Sequence, residues 1–303
     1  MPPPAALIPR AGGSGGWGRL GSVYMTVSMD ASWRSWLQEN LARGCSIESL
    51  IESMVGGGFD KDAAAAAVRA CLAGEIPDSF GYRYDTCPVS TERVVHAHDR
   101  EIRSVLRLQR PQLILFDDVL SAEECDEVME LSKDRLRRST IVDSKTGRVG
   151  VINNRTSEGT YFRLCENPLI ERLDRRISAL MNSPLENGED LQVLRYGVGG
   201  EYQAHFDYFP PDQPGHVAHI ARGGQRTATL IVYLNDVEDG GETVFADAGI
   251  SVAPRKGRAV YFRYFNDRGQ LDPATKHAGA PVRAGEKWIM TKWMRRFSYS
   301  ASP

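Results

Sequence analysis

The stretch LQVLRYGVGGEYQAHFD, Leu191 to Asp207, decides the fold. Gln192–Tyr196 reads as a β-strand, Gly197-Val198-Gly199-Gly200 as a turn, and Tyr202–Tyr208 as the next strand. The glycines do not follow the G-x-G-x-x-G spacing, and a strand rather than a helix comes after them, so a phosphate cradle is the poorer reading. The same alternation of short apolar runs with Gly, Pro, Asn and Asp continues to the C-terminus. It gives strands at Thr227–Leu234, Glu242–Phe245, Gly249–Val252, Arg258–Tyr264, Gly279–Val282 and Lys287–Arg295. Eight short strands in succession indicate a mainly β, two-sheet jelly roll. Helical patterns precede the strands instead of alternating with them, which disfavours a doubly wound parallel sheet.

Upstream, Asn167-Pro168 opens a helix whose Ile170, Leu173, Ile177, Leu180 and Met181 recur at three- and four-residue steps. Ser121-Ala-Glu-Glu124 is a capping box opening another, with Cys125, Val128, Met129 and Leu136 on one face. Both helices are amphipathic and are expected to flank the sheet. Gln112–Phe116 reads as a strand, and residues 75–110, with Pro77, Gly81, Pro88 and mixed charge, read as a linker lying along the next domain. Residues 31–74 read as a small three-helix module, with helices at Trp33–Arg43, Ser46–Val55 and Lys61–Leu72. Residues 1–30, rich in Pro, Gly and Ser, read as disordered and lack a secretory signal pattern. Met25 and Met29 are both candidate translation starts.

The chain has 303 residues, with 37 Lys and Arg against 39 Asp and Glu. A net charge of −2 provides no global field for nucleic acid or an anionic membrane, and no stretch approaches the ~20 apolar residues of a membrane span. The five cysteines, Cys45, Cys71, Cys87, Cys125 and Cys165, are scattered and form no C-x-x-C pair. That argues against a disulfide framework and a cysteine zinc site, and fits a reducing cytoplasm.

Chemistry concentrates in His205-Phe206-Asp207. On a strand, i and i+2 project from one face about 7 Å apart, so an imidazole and a carboxylate can share a metal. One H-x-D is weak by itself; His277, in a distant strand-like segment, strengthens it. Two His and one carboxylate leave three octahedral positions open, the arrangement of non-haem iron(II) that holds a chelating cosubstrate together with dioxygen. A structural site would be closed by a fourth protein ligand. Lys287 follows His277 by ten residues; an inward-facing ammonium needs an anion, and a dicarboxylate cosubstrate would supply one. Tyr196 and Thr229 offer hydroxyls to the same carboxylate.

The segments LRYGVGGEYQAHFD ending at Asp207, NDVEDGGETVF from Asn235 to Phe245, and HAGAPVRAGEKW from His277 to Trp288 resemble the prolyl 4-hydroxylase family, most closely its compact bacterial members. The resemblance spans about residues 110–297 and includes Leu120–Cys125 and Arg155–Gly159. It implies a double-stranded β-helix (jelly roll) core in a catalytic domain at 111–298, the iron-binding part at about 188–297. It also implies iron(II) on His205, Asp207 and His277, with Lys287, Tyr196 and Thr229 holding 2-oxoglutarate. Tyr202 and Trp293 match positions that line the peptide side of the cavity. The implied reaction consumes dioxygen and 2-oxoglutarate, releases succinate and carbon dioxide, uses ascorbate, and hydroxylates proline in a protein or peptide. A homodimer is further implied. The Gly56-Gly57-Gly58-Phe59 turn and Ala-rich third helix weakly resemble a ubiquitin-associated module, which would bind a protein; the alternative is a packing or dimerisation appendage.

Three functions remain open on the sequence: a peptidyl-proline hydroxylase, a hydroxylase of the same mechanism acting on another side chain or a small metabolite, and an inert jelly-roll binding module. Asp207 argues against the third, and against a halogenase, which leaves the carboxylate position empty. His96-Ala97-His98-Asp99 and His216-Val217-Ala218-His219 are read as non-ligating, the first in charged linker and the second in the long loop Phe209–Gln225, a candidate lid. Tyr261, Phe262, Tyr264 and Phe265 are read as core rather than as a proline-binding cleft.

Overall fold

The computed structural model describes residues 31–73, 82–139, 141–142, 149–150, 156–210 and 213–299. The expectations for residues 1–30, for Met25 and Met29 and for residues 75–81 lie outside these. The chain divides into two compact units, one up to Arg83 and one from Tyr84 on. Among the described residues no helix is long and apolar enough to cross a membrane.

The first unit contains α1 (Ala31–Ala42), α2 (Ile47–Gly56) and α3 (Lys61–Leu72). Ser46 caps α2 by accepting from the Ser49 amide, and Asp60 caps α3 by accepting from the Asp62 and Ala63 amides. Leu50 and Met54 of α2 and Ala64, Ala67 and Val68 of α3 bury one core with Trp33, Leu37 and Phe59. A Cβ on Gly57 would stand 2.4 Å from the Trp33 ring, so the close approach of this turn to α1 requires glycine there.

The second unit is mainly β. The strands of its two larger sheets are β1 (Val94–Ala97), β2 (Arg100–Gln109), β3 (Gln112–Asp117), β4 (Arg137–Arg138), β5 (Glu158–Phe162), β6 (Leu191–Tyr196), β7 (Tyr202–His205), β8 (Arg226–Tyr233), β9 (Thr243–Phe245), β10 (Ile250–Val252), β11 (Ala259–Arg263), β12 (His277–Gly279) and β13 (Lys287–Arg295). A nine-stranded sheet runs β1-β2-β3-β11-β8-β13-β6-β5-β4, and a four-stranded sheet runs β10-β9-β12-β7. Across one face of the large sheet lie α4 (Ala122–Lys133) and α5 (Pro168–Met181), burying Val128, Ile170, Leu173 and Ile177 against Val193, Leu230, Val232 and Met290. The other face meets the small sheet over Ile231, Phe245, Val260 and Phe262, the two-sheet arrangement of a jelly roll.

β13 is buried along its whole length because it has protein on both faces. Period two divides it: Lys287, Ile289, Thr291, Trp293 and Arg295 line a cavity, while Trp288, Met290 and Met294 join the core under the helices. Three strand or linker expectations need correction, and the first is Gly279–Val282, which is the break between strands His277–Gly279 and Val282–Ala284. Residues from Tyr84 onward are not linker but part of the second unit, and β1 and β2 extend its large sheet through β3. The strand expected at Tyr202–Tyr208 ends at His205, and Asp207 stands in a bend just beyond it.

Candidate active site

β7 and β12 pair antiparallel with His277 opposite His205 and Gly279 opposite Tyr202. This register sets the two imidazoles side by side, ring centres 4.4 Å apart and ring planes tilted by 54°. The end of β7 returns Asp207 to the pair, its Oδ1 3.5 Å from His205 Nε2 and its Oδ2 3.8 Å from His277 Nε2. One ligand atom from each residue lies within 4.8 Å of the others.

The donor set fits a divalent metal. His205 Nδ1 lies 2.8 Å from the Gln203 carbonyl and His277 Nδ1 lies 3.0 Å from the Thr275 carbonyl. A carbonyl only accepts, so each Nδ1 carries the proton and each Nε2 presents a lone pair to the site. Burial pushes the buried His277 down to about 4, with His205 acting in the same direction against the Asp207 charge. It is therefore neutral at pH 7, as a ligand must be. Burial alone would raise Asp207, but the facing His277 and His205 hold its carboxyl well below the usual range.

The three ligands open onto a cavity of about 790 Å³ that also contains Lys287, Tyr196, Tyr202 and Trp293. Lys287 stands opposite Tyr196 in the β13–β6 register, with Nζ 5.6 Å from the Tyr196 ring centre. It is 3% exposed, and among the described residues no carboxylate lies within ion-pair distance of it. Burial pushes it down to about 8, against the attraction of Glu242. A Cβ on Gly279 would stand 3.8 Å from Nζ, so glycine keeps the space between the ammonium and β12 open. A buried cation facing open space beside a three-ligand metal site fits one end of a dicarboxylate.

Thr229 differs from its expected place. Its hydroxyl donates to Asp207 Oδ2 at 2.7 Å, so it serves the metal carboxylate and not the Lys287 end of the cavity. Tyr202 stacks on the His205 ring with centres 3.7 Å apart, and Trp293 lies beneath the Arg226 guanidinium, 4.0 Å from its ring centre. The long loop contributes Phe209, His216 and His219 to the cavity. His98 and Asp99 are remote from the metal ligands in role: Asp99 accepts from Arg176 at 2.7 Å. Tyr261, Phe262 and Tyr264 are buried core residues, and Phe265 is half-buried.

Sequence reasoning missed an ionic cluster on the cavity wall. Glu189 accepts from Arg226 at 2.6 and 2.8 Å and from Arg295 at 2.5 Å, and Arg226 also donates to the Asp207 carbonyl at 3.2 Å. Burial opposes ionisation of Glu189, but the two guanidiniums hold its carboxyl below the usual range. The available signal was the pair of arginines at strand ends, Arg226 at the start of β8 and Arg295 at the end of β13.

Residues 191–295 match the 2OG-Fe(II) oxygenase superfamily. Prolyl 4-hydroxylase 2 of Arabidopsis thaliana is 38% identical over 211 residues, covering 63% of this chain and 69% of the relative. Prolyl 4-hydroxylase subunit alpha-1 of Gallus gallus is 39% identical over 185 residues, and the match spans 61% of this chain but only 36% of that subunit. Among solved structures, the viral collagen prolyl hydroxylase of Paramecium Bursaria Chlorella virus-1 in complex with 2OG is 30% identical, covering 60% of this chain and 95% of that chain, with a TM-score of 0.48.

Proposed function

We propose, on the premise that this chain belongs to the prolyl 4-hydroxylase family of 2-oxoglutarate- and iron(II)-dependent oxygenases, that it hydroxylates proline within a protein or peptide. One observation carries the reading: an open three-ligand His-Asp-His site and a buried ammonium without an ion-pair partner among the described residues face one cavity. Iron(II) held by His205, Asp207 and His277 would supply the oxidising chemistry, one oxygen atom entering the substrate while 2-oxoglutarate leaves as succinate and carbon dioxide.

The protein's part is to bind, orient and shield. Backbone carbonyls hold Nδ1 of both histidines, so that each ring turns its Nε2 toward the metal. Lys287 attracts the distal carboxylate of 2-oxoglutarate, with Tyr196 beside it. Tyr202 and Trp293, which both line the cavity, are assigned to substrate contact, and Phe209 and His216 bring the loop to the same cavity. A role of the helical unit in binding a protein partner is carried as an expectation. Homodimerisation and cytoplasmic residence are carried as expectations, checked by sedimentation and by fractionation of native cells.

The test supplies anaerobically iron-loaded full chain with oxygen, 2-oxoglutarate, ascorbate and a proline-rich peptide, then measures succinate and the peptide mass. A gain of one oxygen atom on proline, with peptide-stimulated succinate, is the expected result. Succinate without peptide modification moves the substrate to another side chain or a metabolite, and neither product from iron-loaded protein makes it a binding module. His277→Ala should abolish iron binding and succinate formation together; retained turnover would remove His277 from the ligands.

A further inference from the structure

We infer that Thr229 and Tyr264 form a hydroxyl relay that fixes the Asp207 carboxylate for metal binding, which makes Thr229 a positioning residue of the site. His205 and His277 are each oriented by a backbone carbonyl, but Asp207 stands in a bend past the end of β7, outside the strand ladder. Its side chain therefore needs an anchor from elsewhere, and β8 supplies one. Thr229 Oγ1 lies 2.7 Å from Asp207 Oδ2 and 3.0 Å from the Tyr264 hydroxyl.

The direction of both bonds follows from the chemistry. An ionised carboxylate only accepts, so the Thr229 hydroxyl hydrogen points to Asp207. Its oxygen then has only lone pairs to offer Tyr264, so the tyrosine donates. Both residues are fully buried, and no water is needed to complete the relay. In β8, Thr229 is held between Trp293 of β13 and Phe262 of β11, and its β-branched side chain has few rotamers to adopt there. The only side-chain hydroxyls on the cavity-facing or core positions from Thr229 to Leu234 are those of Thr229 and Tyr233, and the latter donates to Thr243.

A hydrogen bond on Oδ2 leaves Oδ1, the oxygen facing His205, free to accept a cation. An untethered carboxylate would be able to swing or bind through both oxygens, closing a position that the cosubstrates require. The outer partners of metal ligands commonly set affinity in this way, by about 10–100-fold. The inference rests on His205, Asp207 and His277 being the ligands, and that reading fails separately: unsubstituted protein would then give no cobalt spectrum at all.

The experiment titrates metal-free full chain with Co(II) under nitrogen and follows visible absorption, with circular dichroism to establish that each variant is folded. Thr229→Val should weaken Co(II) binding about 10–100-fold and alter the spectrum, while Thr229→Ser, which keeps the hydroxyl, should stay within about threefold of the unsubstituted protein. Tyr264→Phe should give a smaller loss, and adding it to Thr229→Val should cost nothing more, because the relay is already broken. Uncoupling should rise in parallel, read as succinate formed per hydroxylated peptide. A folded Thr229→Val with unchanged affinity and spectrum overturns the inference. If that variant does not fold, Thr229→Ala and Tyr264→Phe decide the question in the same titration, and unchanged affinity in either overturns the relay.

Discussion

Lys287 combines burial with an ordinary positive charge, and the two are in conflict until an anion arrives. Its amine is pushed from 10.5 down to about 8, so at pH 7 it is still protonated in the folded chain, at a cost on the order of 3 kcal/mol. Lys287→Met should therefore stabilise the cosubstrate-free protein by about 1–3 kcal/mol in urea unfolding while raising the 2-oxoglutarate KM by at least about tenfold. A loss of stability together with an unchanged KM would make Lys287 structural. The pH dependence has a definite sign. Since the folded amine loses its proton near 8, the KM for 2-oxoglutarate should climb as pH rises above that value and be flat below it, measured by succinate release at saturating iron and peptide. At this scale much was legible: His205, Asp207, His277 and Lys287 stand at chemically meaningful intervals along one chain. Thr229 was misplaced because strand alternation tells which face a side chain takes, not which neighbour along that face it meets. The Glu189, Arg226 and Arg295 cluster was missed because its members come from separate segments that only the sheet order brings together.

The elements that sequence reading recovered best are those with strong local signals. Ser121 and Glu124 form the expected capping box, and Asn167 with Pro168 opens α5. β1 and β2 were read as linker because the hairpin carries charges on exposed faces and turns at His98-Asp99, with His98 at φ +59°, instead of at an Asn-Gly signal. Their apolar inward positions, Val95, Ala97 and Ile102, are too few to reveal a period by themselves. The loop from Phe209 to Gln225 shows a different device. Gln225 Nε2 donates to the Phe209 carbonyl at 2.6 Å, and the Phe209 amide donates to Gln225 Oε1 at 2.8 Å, so one side chain closes the neck of the loop. Arg295 fastens the interior by donating to the His219 and Gly224 carbonyls at 2.9 and 2.6 Å. Gln225→Leu leaves two buried backbone groups unpaired, each costing about 1–3 kcal/mol. The loop should loosen without global unfolding, seen as faster amide exchange across residues 213–225. The KM for peptide should rise while that for 2-oxoglutarate holds, because Lys287 lies on another wall. Equal exchange in both proteins would show that the neck bears no strain.

Across the second unit, acid stability depends on opposed groups. Asp99, Glu124 and Glu189 are held below the usual carboxylate range by arginine partners, against burial that acts the other way for each. Their contribution is present above the unfolded pKa and is lost as pH falls through the folded one, so the chain should weaken in acid. Asp272 runs against them. Burial pushes its carboxyl up from 3.8 to about 6, although Tyr84 and the Ala274 amide favour the charged form. Its Oδ1 caps the turn before β12 by accepting from the Ala274 amide at 3.0 Å. A raised folded pKa means that the folded state retains a proton the unfolded chain has released. The associated stability is complete below the unfolded value and is lost as pH rises from about 4 through about 6, a loss on the order of 3 kcal/mol. Asp272→Asn keeps the capping oxygen and removes the titration. The variant should therefore match the unsubstituted protein in urea midpoint at pH 4 and exceed it at pH 7.5. Thr275, whose hydroxyl donates to the Asp272 carbonyl at 2.7 Å, in turn presents its own carbonyl to His277, so the turn also orients a metal ligand. Retention of Co(II) affinity in Asp272→Asn would show that the cap, not the charge, performs that orientation. An equal midpoint difference at both pH values would remove Asp272 as the source of the loss between pH 4 and 6.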